Sequence, residues 1–124
     1  MPSLSAALTT RMNFLAARQT VVAGNIANAD TPGYLSKDLT APQTTASAGT
    51  FAMAVNNAKH LRNTGAASGA GRITEDARFI EHNGNSVRLD EEMLKMNETQ
   101  LSYRMMTQLY SKQVALQKLA LGNR

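Results

Sequence analysis

Two histidines, His60 and His82, are the residues of this sequence best suited to acid–base catalysis or to binding a metal ion. Three acidic residues, Glu75, Asp76 and Glu81, stand close to His82 in the sequence and could complete a weak site with both histidines. Their spacing matches no ligand motif, and the chain has no cysteine and no P-loop, HExxH or nucleophile-elbow pattern. We therefore predict that the protein is not an enzyme and uses no cofactor or bound metal.

A second group of polar residues lies in the stretch GNIANADTPGY, residues 24–34. Pro32 cannot continue a helix, and it biases Thr31 toward an extended backbone. Pro32 and Gly33 also suit the two central positions of a type II turn. The candidate site residues of this stretch are Asn25, Asn28, Asp30, Thr31, Pro32, Gly33 and Tyr34.

These residue types indicate more than the end of a helix. Asn25 and Asn28 lie on one side of the predicted helix, although Asn is a poor helix former. Their amides could lock the chain that leaves the turn, or they could clamp the backbone of a neighbour. Asp30 is placed to accept a hydrogen bond from the turn backbone, and Tyr34 adds an aromatic ring with a polar tip that suits an interface. We interpret residues 24–34 as a joint, by which we mean a rigid turn segment that another protein contacts.

Two long helices must position this joint. The first is predicted over residues 3–30, with Ser3 or Ser5 as its cap. Its apolar lane has the three- and four-residue spacing of a heptad seam. The lane contains Leu4, Leu8, Met12, Leu15, Gln19, Val22 and Ile26.

The second helix is predicted over residues 89–121, with acids in its first turn and Gly122 as its C-terminal cap. It carries two apolar stripes on nearly opposite faces, and one antiparallel partner helix covers only one of them. We therefore expect other subunits to cover the remainder. One stripe contains Leu94, Leu101, Met105, Leu109, Leu116 and Leu119, and the other contains Met96, Tyr103, Met106, Tyr110, Val114 and Leu121.

The composition predicts one mainly α-helical domain with a thin core. Leu, Ile, Val and Phe account for 24 of the 124 residues, and there is no tryptophan. The predicted parts are an N-terminal helix with its turn (1–34), a loop-rich middle (35–88) and a C-terminal helix (89–124). Within the middle we expect loops at 44–50 and 63–72, a short helix at 51–62 and extended or irregular structure at 72–82.

Charge and hydropathy exclude several classes of protein. The net charge is +4, but the basic residues are scattered, which is typical of a solvated surface and not of a nucleic-acid interface. No segment approaches 18 consecutive apolar residues, so we predict no transmembrane helix. No apolar run follows a charged start, so we expect no classical secretory signal peptide.

The stretch NIANADTPGY resembles a segment of the bacterial flagellar rod, hook and hook-associated protein family. In that family an N-terminal helix runs into the pattern N-x-A-N-x-x-T-P-G-[YF]. Every specified position of the pattern matches this chain. The matching residues are Asn25, Ala27, Asn28, Thr31, Pro32, Gly33 and Tyr34.

The C-terminal segment, residues 84–122, resembles the proximal rod subunits of the same family, and in particular the B type. Arg88 departs from that resemblance, because an acidic residue is expected there. The short chain, without a large inserted domain, also suits a proximal rod subunit. The features that carry the resemblance are Gly84-Asn85-x-Val87, Leu89, Glu92-Met93, Met96 and Gln100-Leu101-x-Tyr103.

The resemblance implies a fold, a location and partners. The N- and C-terminal helices would pair as a coiled coil, and many such pairs would form the concentric tubes of a rod that spans the periplasm within the basal body. Export would use the flagellar type III apparatus, without a classical signal peptide. The implied partners are copies of the chain, other rod proteins, the rod adaptor protein and the export gate.

Two other interpretations stay open at this point. One is a different short rod subunit of the C type, which the segment Gln100-Leu101-x-Tyr103 disfavours. The other is a free-standing helical binding module with a basic surface, which would fold as a stable monomer and bind nucleic acid in a salt-dependent way.

Overall fold

The computed structural model describes residues 3–41 and 71–122. Helix α1 spans Leu4–Ala27, and Ser3 caps it by accepting a hydrogen bond from the Ala6 backbone N–H at 3.2 Å. The helix ends earlier than the predicted residue 30. After Ala27 the backbone tightens, since the N–H of Ala29 donates to the Ile26 carbonyl three residues back.

Two short strands follow α1 and form an antiparallel pair. Strand β1 spans Ser36–Thr40 and strand β2 spans Arg72–Asp76, with Ser36 opposite Asp76 and Thr40 opposite Arg72. The expected extended structure at 72–82 therefore contains β2. We did not predict β1, because its sequence SKDLT has little of the β-branched and aromatic content that marks strands.

Helix α2 spans Leu89–Ala120, and Gly122 ends it with a φ of +72°. The N-cap residue Arg88, which precedes the helix, makes no side-chain capping hydrogen bond. The departure from the expected acid at this position thus leaves the helix start without a side-chain acceptor, and Arg88 instead pairs with the carboxylate of Glu91 at 3.0 Å.

Helices α1 and α2 pack side by side in opposite directions. The end of α1 meets the start of α2, where Asn25 contacts Glu92, and Met106 packs farther along against the Phe14 and Leu15 cluster. The mainly α fold with its long N- and C-terminal helices packed together is therefore confirmed. The sheet is an addition to it, and β1 also packs on α1 through Leu39.

The buried apolar core is small. Within the described residues its buried members are Leu8, Phe14, Leu15, Val22, Leu39 and Val87, and of these Val22 alone is completely buried. Helix α2 contributes none of these, and the residues it buries completely are Glu92 and Thr99. The helix pair is therefore held by a short apolar seam supplemented by polar contacts.

Several predictions fall on residues 42–70, which lie outside the described residues. They are the short helix at 51–62, the loop at 44–50, most of the loop at 63–72, and His60. His82 is exposed, and the described part of the chain contains no group of three or more residues of the types that bind metals.

Two glycines provide a matched test of this packing. A Cβ at Gly71 would lie 2.6 Å from the Thr40 carbonyl oxygen and 2.8 Å from Cε2 of Phe14, whereas a Cβ at Gly24 would meet nothing within 4 Å. We expect Gly71→Ala to lower the free energy of unfolding by about 1–3 kcal/mol, because backbone and core must move apart. Gly24→Ala should raise it by about 0.5–1 kcal/mol through helix propensity. Urea denaturation measures both changes, and equal effects would contradict the close approach at Gly71.

Candidate functional site

The turn after α1 has the geometry predicted from its sequence. Gly33 has a φ of +74°, and the N–H of Tyr34 donates to the Thr31 carbonyl at 3.3 Å, as in a type II turn. The Gly33 N–H donates to the Asn83 carbonyl at 3.0 Å. The segment before α2 therefore holds the turn that follows α1.

Asn25 is completely buried, and every hydrogen bond of its amide stays within the chain. Its Nδ2 donates to the Lys37 carbonyl at 2.6 Å and to Oε2 of Glu92 at 2.9 Å. Its Oδ1 accepts from the Lys37 N–H at 3.0 Å and from the Tyr34 hydroxyl at 3.3 Å. Of the two roles considered for this amide, the structure shows the first: Asn25 locks the chain that leaves the turn.

Glu92 is the carboxylate that receives Asn25, and it is 1 % exposed. Its Oε1 accepts hydrogen bonds from the Ser36 hydroxyl at 2.9 Å and from Nζ of Lys95 at 3.1 Å. Burying a charged group costs free energy unless paired charges and hydrogen bonds compensate it. Here donors from α1, β1 and α2 all converge on one side chain, so Glu92 ties these elements together.

Two serines extend the contact toward the segment that precedes α2. The Ser86 hydroxyl accepts from the Ser36 N–H at 2.7 Å and donates to the Asp76 carbonyl at 2.7 Å. The Ser86 N–H donates to the Tyr34 carbonyl at 3.0 Å. The start of β1, the end of β2 and the approach to α2 are thus joined at one point.

Asn85 clamps the turn from the other side. Its side chain is fully buried, and its Nδ2 donates to the carbonyls of Asn28 at 2.9 Å and Thr31 at 2.8 Å. Gly84 allows this approach, because it has a φ of +83° and a Cβ there would lie 3.2 Å from Cα of Gly33. Asn85 therefore adds a second hydrogen bond to each of two carbonyls that already accept one backbone N–H.

The remaining residues of the predicted joint point in different directions. Asn28 is half-buried, with Nδ2 donating to the Gly24 carbonyl at 2.8 Å and Oδ1 accepting from the Thr31 hydroxyl at 3.1 Å. Among the described residues, the Asp30 side chain makes none of the expected hydrogen bonds with the turn backbone, and the Thr31 N–H donates to the backbone carbonyl of Asn28 at 3.1 Å. Asp30, Thr31, Pro32 and Gly33 are exposed, and Tyr34 is half-buried.

The predicted packing residues divide sharply by face. On α1, Leu8, Leu15 and Val22 are buried, while Met12 and Ile26 are half-buried. On α2, one stripe turns partly toward α1: Met96, Met106 and Val114 are half-buried, and Tyr103 and Tyr110 are 40 % and 39 % exposed. The other stripe is exposed throughout: Leu94, Leu101, Met105, Leu109, Leu116 and Leu119.

An ion pair joins α1 to β1. Nε and one terminal nitrogen of Arg18 lie 3.0 and 3.2 Å from the two carboxylate oxygens of Asp38. Burial raises the pKa of Asp38, but the hydrogen bonds and charge of Arg18 outweigh burial and leave this pKa below its ordinary value. On β2, hydrogen bonds from Arg78 lower the pKa of Asp76 to about 2.

Sequence reasoning missed the residues that organise this site. Asp90, Glu91 and Glu92 together favour a helix N-terminus, and the sequence singles out Glu92 and Asn85 only through the C-terminal resemblance, which assigns no role to either side chain. The usable signal was the pair of asparagines in α1, because buried amides require partners from elsewhere in the fold.

Residues 7–34 match the family model described as flagella basal body rod protein. This match supports the resemblance of the chain to the flagellar basal body rod family. It covers most of α1 and the whole turn, and it ends at Tyr34. No curated protein matches the chain.

The rod family is a family of structural proteins, which supports the prediction that this chain is not an enzyme. None of the described helices is both long enough and apolar enough to cross a membrane.

The buried carboxylate of Glu92 can be tested against that of its half-buried neighbour Glu91. We expect Glu92→Gln to lower the free energy of unfolding by about 2–4 kcal/mol, because an amide in either orientation places N–H groups against existing donors. Glu91→Gln is the matched control, since Glu91 pairs with an exposed Arg88, and it should cost less than about 0.5 kcal/mol. Chemical denaturation followed by circular dichroism measures both, and equal losses would show that Glu92 does not hold the elements together.

The Arg18–Asp38 pair predicts a pH dependence. Because folding lowers the pKa of Asp38, the stabilisation is present above the ordinary aspartate pKa of about 3.9 and is lost as the pH falls through the folded value. Asp38→Asn should therefore destabilise the protein at neutral pH and flatten the acid limb of its stability curve. Thermal melts between about pH 6 and pH 2 measure the slope, with exposed Asp30→Asn as the control. An unchanged slope in Asp38→Asn would contradict this assignment.

Proposed function

We propose that the chain is a structural subunit of the proximal rod of the bacterial flagellar basal body, of the B type. The N-terminal family match supports the rod role, and the C-terminal resemblance at Gly84-Asn85-x-Val87 and Gln100-Leu101-x-Tyr103 supports the type. A C-type rod subunit is the alternative. In this role the chain assembles with its own copies and other rod proteins into the shaft between the export gate and the distal rod.

The observation that carries this proposal is the apolar stripe of α2 that the described residues leave uncovered. A monomer rarely exposes a continuous apolar surface of more than a few hundred Å², and such surfaces mark interaction sites. Leu94, Leu101 and Leu119 are 68 %, 64 % and 74 % exposed on one helix face. A tube wall built from helix pairs supplies the missing cover, whereas a free-standing binding module would leave this face in water.

The turn takes a specific place in the proposal. Since Asn25 and Asn85 use their amides inside the chain, they fix the shape of the joint instead of contacting a neighbour. The exposed residues Asp30, Pro32 and Gly33 form its outer surface. We propose that neighbouring axial subunits, and at the inner end the rod adaptor protein and export gate, meet this rigid surface after type III export of the subunit to the basal body.

Gly33 provides the test in a flagellated host. Gly33→Val forces a β-branched residue to a φ of +74°, so we expect export to continue while rod assembly and motility are lost. Gly33→Asn is the matched control, because Asn tolerates positive φ and should keep motility. Soft-agar motility, exported protein in the medium and electron microscopy of basal bodies are the measurements.

Deletion of the gene tests the rod role itself. Cells without the chain should be non-motile and lack a rod. Motile deletion cells would overturn the proposed function, and motile Gly33→Val cells would overturn only the role of the turn.

A further inference from the structure

One cleft between α1 and α2 is lined in part by Gln19, which carries a buried acceptor without a donor among the described residues. The cleft has a volume of about 280 Å³ and is lined by Leu15, Gln19, Tyr103 and Arg104, among others. Within the described residues, Oε1 of Gln19 is buried and accepts no hydrogen bond. Buried acceptors are nearly always paired in a complete structure, so the donor for Gln19 must come from outside the described residues.

The same helix carries the complementary surface on another face. At 100° per residue, the exposed stripe around Leu101 and Met105 points roughly 150° away from the cleft residues of α2. In the part of the stripe from residue 94 to residue 105, the large apolar side chains Leu94, Leu101 and Met105 are 68 %, 64 % and 54 % exposed, so they can supply apolar contacts to a partner. Exposed amides of Asn97 and Gln108 flank the stripe and can donate to a buried acceptor.

The charges of the cleft and of the exposed stripe are also complementary. Arg104 at the cleft is exposed, and the lining of the cleft contains no acidic residue. Glu98 is exposed and stands on the stripe between Leu94 and Leu101. If the N-terminal half of this stripe docks in the cleft of another molecule, it therefore brings the Glu98 carboxylate to Arg104 and apolar side chains to Leu15 and Tyr103.

We propose that the cleft around Gln19 receives the Leu94–Met105 part of α2 from a second copy of this chain. The two surfaces differ and face different ways, so the contact is heterologous and each added copy offers a new cleft or a new stripe. Such an interface propagates instead of closing into a dimer. The inference rests on the proposed function, for which it names the contacting surfaces.

The absence of cysteine makes the contact measurable with single-cysteine variants. Gln100→Cys marks the cleft, Leu94→Cys marks the stripe, and Glu75→Cys on β2 is the control outside both. Purified variants are mixed in pairs and treated with a short bismaleimide. We expect cleft–stripe products to exceed all other pairings by about tenfold. Predominant stripe–stripe products, or none above the Glu75→Cys level, would overturn the proposal; the latter would point to another partner or to residues 42–70.

Charge reversal separates contact from folding. Arg104→Glu and Glu98→Arg should each reduce self-association about tenfold by sedimentation, and the double variant should restore it. A general folding defect would not be rescued by combining the two changes. Failure of the double variant to recover association would overturn the Arg104–Glu98 match and with it the proposed orientation.

Gln19→Leu separates a role of Gln19 in self-association from a role in folding. It removes the buried acceptor without a donor, so the melting temperature of the dilute chain should stay or rise while self-association falls about tenfold. Unchanged association would overturn the role of Gln19. These measurements use the isolated protein, so they can fail while the deletion strain is still non-motile; the proposed function would then stand without this interface.

Discussion

The fold depends on one buried carboxylate and the amide that meets it. Glu92, at the start of α2, accepts a hydrogen bond from Asn25 near the end of α1, and Ser36 and Lys95 complete its shell. Neither long helix has a large apolar face against the other, since α2 buries no apolar side chain completely. The hydrogen bonds to Glu92 therefore fix how the two helices are placed relative to each other. A shift of one residue would leave the buried carboxylate without its hydrogen-bond donors.

This arrangement explains why the turn between α1 and β1 has a defined shape. Asn25 binds both the N–H and the carbonyl of Lys37, and Asn85 binds the carbonyls of Asn28 and Thr31. The backbone is held from both sides; Gly84 permits the close approach to the turn, and Gly33 permits the positive φ that the turn requires. The interior of the motif fixes geometry, while its exposed residues remain available for contacts.

The thin core and the exposed stripe have the same cause, because many of the apolar side chains lie on the outer face of α2. Apolar side chains that a monomeric domain would bury stand on the outer face of α2, with Leu94 and Leu119 more than two-thirds exposed. In the proposed rod, a subunit whose apolar stripe is covered only after assembly needs polar contacts to keep its shape beforehand. The network around Glu92 provides such contacts without using the apolar residues of the stripe.

The sequence by itself determined the two helices, the turn and the two-sided character of α2. These follow from local rules: side-chain periodicity, the proline after α1, and glycine at positions of positive φ. Only the tertiary structure decided which acid is buried, which amide reaches it, and that SKDLT forms a strand against residues more than thirty positions away. Glu91 and Glu92 are alike in sequence, and their difference comes from the elements packed around each. The cleft at Gln19 likewise exists only where two distant helices meet, so no local pattern predicts it.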